Sequence, residues 1–219
     1  RLPIVTMQIA MLGGNLVDTP EVAGRTSLLA GMLDKGTQRL TADQIAELFD
    51  DLDARVSFTP GRNTLLVGMS ILKDAFPQAA ELLAECVLRP SFPEDEFSKV
   101  KVLALDAIAQ RTTNPQAEAQ ELFADLLPPD CPYHVVTGGN KETVERMTLN
   151  DIKVLHKQLL NPEQMVIAVF GDYEPEEAVE LVTRLFGNLK PPADASKISF
   201  DRNNKIPQIV SGHKQTQKP

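Results

Sequence analysis

An α+β fold, with helices packed on one antiparallel-rich sheet, is predicted for this 219-residue chain by three observations. Two β-rich runs, 54–59 and 64–72, flank Pro60-Gly61-Arg62-Asn63, a hairpin signal that implies antiparallel pairing. Several other segments place apolar residues at helical spacing. The element order is strand, two helices, hairpin, four helices, strand, helix. That order mixes a hairpin with helices instead of alternating the two, which marks α+β.

Composition agrees. At 42% apolar and 24% charged the chain falls in the globular range, and a chain this long buries roughly 70% of the surface it exposes unfolded. Collagen-like, coiled-coil and disulfide-rich classes are excluded. No apolar run approaches the ~20 residues of a membrane span. A formal charge of −8 argues against a nucleic-acid partner, which needs clustered Lys and Arg. Residues 190–219 carry +4 and the body −12, so the tail reads as a linker after a domain at 1–189. The chain opens on Arg1 and ends on a polar run, Ile206 to Pro219, which predicts a piece of a longer protein.

Pro3 to Leu12 reads as the first strand, ended by Gly13-Gly14. A helix is expected from Pro20-Glu21 to Lys35-Gly36, with Pro in its first turn and Gly as a left-handed stop. Thr41-Ala42-Asp43-Gln44 caps a second helix to Asp51. Asp74 to Leu88 repeats Ala75, Ala79, Leu82, Leu83 and Cys86 at helical spacing, and Arg89-Pro90 ends it. Phe92-Pro93-Glu94-Asp95-Glu96 opens a long helix to Arg111, its acids set against the positive end of the dipole. Asn114-Pro115 opens the next, to Leu127, and Thr148-Leu149-Asn150-Asp151 caps one to Leu160. Met165 to Phe170 is continuously apolar and β-branched, which predicts a central buried strand. Pro175 to Phe186 is the last helix, Glu174, Glu176 and Glu177 forming its acidic start. No repeat of 20–50 residues is visible.

Little of the residue chemistry is catalytic. Cys86, in an amphipathic run, reads as a small buried hydrophobe; Cys131 lies in a Pro-rich loop, and pairing of the two is left open. His134, His156 and His213 lack metal-ligand spacing and read as exposed or satisfied, His156 on a solvated face beside Lys153 and Lys157. Gly13-Gly14 and Gly138-Gly139 are turns, not phosphate loops. Ser27 has no nearby His to activate it. The strand around Thr64–Ser70 is expected to pair within the sheet, not with an added peptide.

Three stretches, in order and at matching spacing, carry a resemblance. They are Ala23-Gly24 with Met32-Leu33-Asp34-Lys35-Gly36-Thr37, then Leu88-Arg89-Pro90-Ser91-Phe92-Pro93-Glu94-Asp95-Glu96-Phe97, then Asn161-Pro162-Glu163-Gln164-Met165 through Gly171-Asp172, followed by Pro175-Glu176-Glu177 and Phe186-Gly187-Asn188-Leu189. Over residues 3–190 the chain resembles the insulinase-like M16 inverted zincins, which include pitrilysin and mitochondrial processing peptidase. The resemblance implies a single M16-like half-domain of LuxS/MPP-like metallohydrolase architecture.

In that family two His of a His-x-x-Glu-His motif sit at i and i+4 and bind one Zn²⁺, the Glu acts as general base, and a downstream Glu is the third ligand. Matched residue by residue, the first His falls on Ser27, the base on Ala30 and the second His on Gly31; the downstream acids fall on Val100 and Ala107, 76 residues beyond Gly31. Ala, Gly and Val can neither bind zinc nor move a proton. The resemblance therefore implies no catalytic or metal residue in this chain.

Active members resemble a clam-shell of two α+β halves, one zinc-bearing and one inert, closed on a peptide. The reading that follows is a non-catalytic half, with zinc in its catalytic partner half and a peptide as substrate. A non-proteolytic scaffold subunit is the alternative. Gln208-Ile209-Val210 and Lys214 to Gln217 resemble the segment leading into a following half. In some members the inert half offers an Arg and a Tyr to the substrate carbonyl. Tyr133 stands at the Tyr position, which implies substrate contact, whereas the Arg position falls near Asp125; a packed loop anchor is the plainer reading of Tyr133. Many bacterial relatives act in the cell envelope, but the chain carries no address.

Overall fold

Strict alternation in the first and third strands makes one side of a sheet apolar, and the helices cover that side. The computed structural model describes residues 3–111, 114–128 and 131–192. Strands β1 (Ile4–Leu12), β2 (Arg55–Pro60), β3 (Thr64–Leu72) and β4 (Met165–Gly171) form one antiparallel sheet in the order β2-β3-β1-β4. Val5, Met7, Ile9 and Met11 of β1 and Leu65, Val67, Met69 and Ile71 of β3 point inward and are at most 3% exposed. The register sets Ile167, Ile9, Val67 and Phe58 in one inward row across all four strands. At ~25 cal/mol per Å², such rows supply the main drive for folding.

Eight α-helices lie among the described residues: α1 (Arg25–Met32), α2 (Ala42–Asp51), α3 (Phe76–Leu88), α4 (Glu94–Arg111), α5 (Pro115–Asp125), α6 (Lys141–Arg146), α7 (Leu149–Leu159) and α8 (Pro175–Phe186). Capping boxes at Thr41/Gln44, Asn140/Thr143 and Thr148/Asp151 fix the starts of α2, α6 and α7. The buried faces of α1, α3 and α7 join the inward strand rows in one core, with Phe76, Leu83, Leu28, Leu29 and Ile152 fully enclosed. As the hairpin pattern implied, β3 pairs on both edges and has none to offer a peptide.

Some expectations are corrected. The helix expected from Pro20 to Lys35 divides into a 3-10 turn at Pro20–Val22 and α1, because Gly24 adopts φ 92° between them. It ends at Met32, so Gly36, at φ 145°, is not its stop. Among the described residues the strand at Met165 is an edge strand, not a central one, and Val166 is 67% and Phe170 52% exposed on its outward side. His156 is buried, not solvated. Its Nε2 lies 2.7 Å from the Val87 carbonyl oxygen and its ring meets Phe92 edge-on at 5.2 Å. The helix α6 was not foreseen, and α3 begins at Phe76 after a 3-10 turn, Lys73–Ala75. Both cysteines are free, and burial pushes the Cys86 thiol up to about 12. Of the expected linker, residues 193–219, with His213, lie outside the described residues.

Candidate functional site

The positions that the resemblance sets against the family's metal motif lie on two packed helices, Ser27, Ala30 and Gly31 on α1 and Val100 and Ala107 on α4. The structure brings Gly31 and Val100 together: an ideal Cβ built on Gly31 lies 2.9 Å from Val100 Cγ1. Ser27, one turn earlier on the same face, is half-buried, Ala30 is turned into the core at 2% exposure, and Ala107 is exposed. One hydroxyl beside methyl and methylene groups is not a donor set for zinc, which takes thiolate, imidazole or carboxylate. These residues do not fit the ion. Among the described residues no group of three or more His, Cys, Asp or Glu is placed to hold a metal.

The start of α1 is fixed from outside the helix. Gly24 at its N-cap has no side chain to offer the free N–H groups. Asp18 supplies the acceptor instead: its Oδ2 accepts from the Thr26 amide at 3.2 Å and its Oδ1 pairs with Arg25 Nε at 3.4 Å. Arg25 also donates to the Val17 carbonyl at 2.6 Å. Burial raises the Asp18 carboxyl above its usual range, outweighing the Thr26 and Arg25 bonds that pull it down. Sequence reading missed this cap because it reaches back across the 3-10 turn, outside the local capping pattern.

A second fixture is the loop 131–140. Gly138 and Gly139, both at positive φ, pack backbone to backbone against Ala23-Gly24; a Cβ on Gly139 would meet the Ala23 carbonyl oxygen at 2.2 Å. Arg111, at the end of α4, donates to the carbonyls of Thr137 at 3.2 Å and Gly139 at 2.5 Å, and pairs with Glu121 of α5 at 2.8 Å. Asp125, near which the resemblance sets the Arg of some members, lines the same shallow 250 Å³ groove as Arg111 and His134. The cation at this place comes from α4; its two terminal nitrogens donate to the loop carbonyls and its Nε faces the Glu121 carboxylate. Tyr133, on the same loop, is half-buried and donates its hydroxyl to Asn63 Oδ1 at 2.9 Å, tying the loop to the β2–β3 turn. His134 Nδ1 lies between the carbonyls of Ala124 and Leu127 at 3.0 and 3.1 Å, so that nitrogen carries the proton.

Comparison with known proteins accords with this geometry. The model of the insulinase family, peptidase family M16, matches residues 3–127, and that of the M16 inactive domain matches 146–218. An uncharacterised zinc protease of Mycobacterium leprae is 28% identical over 76% of this chain and 38% of its own length. A non-peptidase homologue of Helicobacter pylori is 24% identical over 95% of this chain and 48% of its own. A crystal structure titled as a peptidase M16 inactive domain, from Pseudomonas fluorescens, superposes with TM-score 0.80 at 23% identity, covering 90% of this chain and 48% of that one. A protease structure from Helicobacter pylori gives TM-score 0.80 at 19% identity, over 94% and 48%. The chain thus spans between 38% and 48% of the length of these relatives. By the match over more than half of its residues, it belongs to the insulinase family of M16 peptidases and their homologues.

Proposed function

We propose that this chain is the non-catalytic half of an M16-type zinc metallopeptidase, which pairs with a zinc-bearing half and closes one wall of the peptide chamber. The observation that carries the reading is the α1–α4 contact: the helix pair is kept, while Val100 occupies the space at Gly31 and Ala30 faces the core. The helices have become a packed wall. The names of two relatives, a zinc protease and a non-peptidase homologue, support a family in which both states occur.

On this reading zinc resides in the partner half, in the same polypeptide or a separate subunit, and the partner supplies the water-activating base. Tyr133 contributes by anchoring its loop through Asn63, since its hydroxyl is already engaged. Mixing tests the proposal. Cleavage of an unstructured peptide by the zinc-bearing half should rise on addition of this chain, while the chain alone cleaves nothing. Unchanged cleavage with stable association would move the assignment to a scaffold.

A further inference from the structure

The segment between α3 and α4 forms part of a groove that the proposed function leaves unused. Phe92 on that segment takes φ 53°, a left-handed backbone that bulky residues rarely adopt and that gathers at functional sites. Its ring is buried and meets His156 of α7 edge-on at 5.2 Å. On the rim of the groove α7 presents Lys153, Val154 and Lys157, all exposed. The open space measures 280 Å³. Pockets for small molecules typically start at about 300 Å³, so this one is sized for a single amino-acid residue.

Three kinds of recognition meet in the groove. Lys153 and Lys157 stand one turn apart, which makes their side chains neighbours. Among the described residues neither pairs with a carboxylate, and no Asp or Glu lines the groove, in a chain of net charge −8. His156 adds direction. Its Nε2 donates to the Val87 carbonyl at 2.7 Å, which leaves Nδ1 as the acceptor of a neutral ring. Burial, reinforced by Lys157, keeps that ring neutral against the pull of the Val87 bond. Nδ1 itself has no partner among the described residues and is not sealed off by them. Phe92 and Val154, the latter 42% exposed, supply apolar surface beside these polar groups.

We infer that this groove binds the C-terminal residue of a peptide chain when that residue is apolar. The carboxylate lies between Lys153 and Lys157, the residue's amide N–H donates to His156 Nδ1, and its side chain packs on Phe92 and Val154. What selects this occupant is the combination, because in a C-terminal residue all three groups branch from one carbon. An internal Asp or Glu has no apolar branch. A fatty acid has no donor for Nδ1. A lone oxyanion leaves Phe92 and Val154 uncovered and meets the lone pair of Nδ1. The inference goes beyond the pairing of halves and does not depend on it.

Four peptides and one ion test this, titrated into the 219-residue chain and followed by NMR. Acetylated Ala-Ala-Leu with a free carboxylate should bind saturably, with a Kd on the order of 1 mM, and should shift the signal of His156 Nδ1. Its C-terminal amide should bind about fivefold more weakly, the effect of two exposed charge contacts. The same peptide methylated on the last amide nitrogen should bind about three- to tenfold more weakly, the effect of one hydrogen bond, and Ala-Ala-Gly should also bind more weakly. The double variant Lys153→Gln, Lys157→Gln changes two exposed side chains and should bring acid and amide to one affinity. Equal binding of acid and amide by the unaltered chain, or an acid affinity unchanged in the double variant, would overturn the inference. So would full affinity of the methylated peptide, or no saturation at tenfold the expected Kd. Inorganic phosphate that displaced the peptide at equal concentration would mark a site for lone oxyanions and overturn it too.

Discussion

Val100 takes up the space into which a side chain on Gly31 would grow, its Cγ1 lying 2.9 Å from an ideal Cβ at that position. The two positions are linked in packing even though neither carries reactive chemistry. Gly31→His should therefore destabilise the fold by about 1–3 kcal/mol, the usual cost of overpacking. Cutting Val100 to Ala should relieve part of that cost, so a double-mutant cycle in urea denaturation should show coupling. The quadruple variant Ser27→His, Ala30→Glu, Gly31→His, Ala107→Glu should bind zinc more tightly when Val100→Ala is added. Additive stabilities in the cycle would show that the α1–α4 contact does not join these residues.

Asp18 caps a helix whose own N-cap is glycine. Asp18→Ala strips the acceptor from the Thr26 amide and leaves the Arg25 guanidinium without its carboxylate. A loss of about 2–4 kcal/mol is expected, because breaking one side of a buried pair strands the other. Chemical denaturation measures it, and a loss below about 0.5 kcal/mol, the range of ordinary surface changes, would refute the cap.

Much of the fold was legible in the sequence because local chemistry determined it. The hairpin follows from the turn at Pro60-Gly61-Arg62-Asn63, and the starts of α2 and α7 follow from Thr41 and Thr148. What was not legible depended on distant partners. An apolar run such as Met165 to Phe170 does not say whether its outward side chains are covered, and among the described residues Val166 and Phe170 stand exposed. His156 reads as solvated beside two lysines, yet Val87 and Phe92, far away in sequence, enclose it. The break at Gly24 is set by the close approach of Gly138-Gly139, and the tie from Tyr133 to Asn63 spans 70 residues. For the motif positions, the family resemblance points to Ser27, Ala30, Gly31, Val100 and Ala107; only the structure shows Val100 packed on Gly31.

Acid should weaken the protein through His156. Burial lowers its pKa below the ordinary 6.5, Lys157 adds to that, and the bond to the Val87 carbonyl opposes it. The folded protein thus holds the ring neutral, and protonation favours the unfolded chain. This contribution is fully present above pH 6.5 and is lost as pH falls through the folded pKa. Thermal melts from pH 8 to 5 should show the fall, and His156→Gln should remove that part of the slope. An identical slope in the variant would place the effect elsewhere.

The hydroxyl of Tyr133 is engaged within the chain, so Tyr133→Phe should cost about 0.5–1.5 kcal/mol, and Asn63→Ala should not add fully to it. Cleavage by the assembled halves should keep its kcat, with any change confined to the stability of the loop. A large loss of kcat at unchanged stability would instead assign Tyr133 to the substrate.

The account stands most directly on metal content measured together with activity. The purified chain, equilibrated with zinc and then freed of excess, should retain no stoichiometric metal and cleave no peptide, while its mixture with the zinc-bearing half should cleave faster than that half alone. One zinc per chain with cleavage by the chain itself would contradict the central claim and show that its reactive groups lie outside the α1–α4 wall.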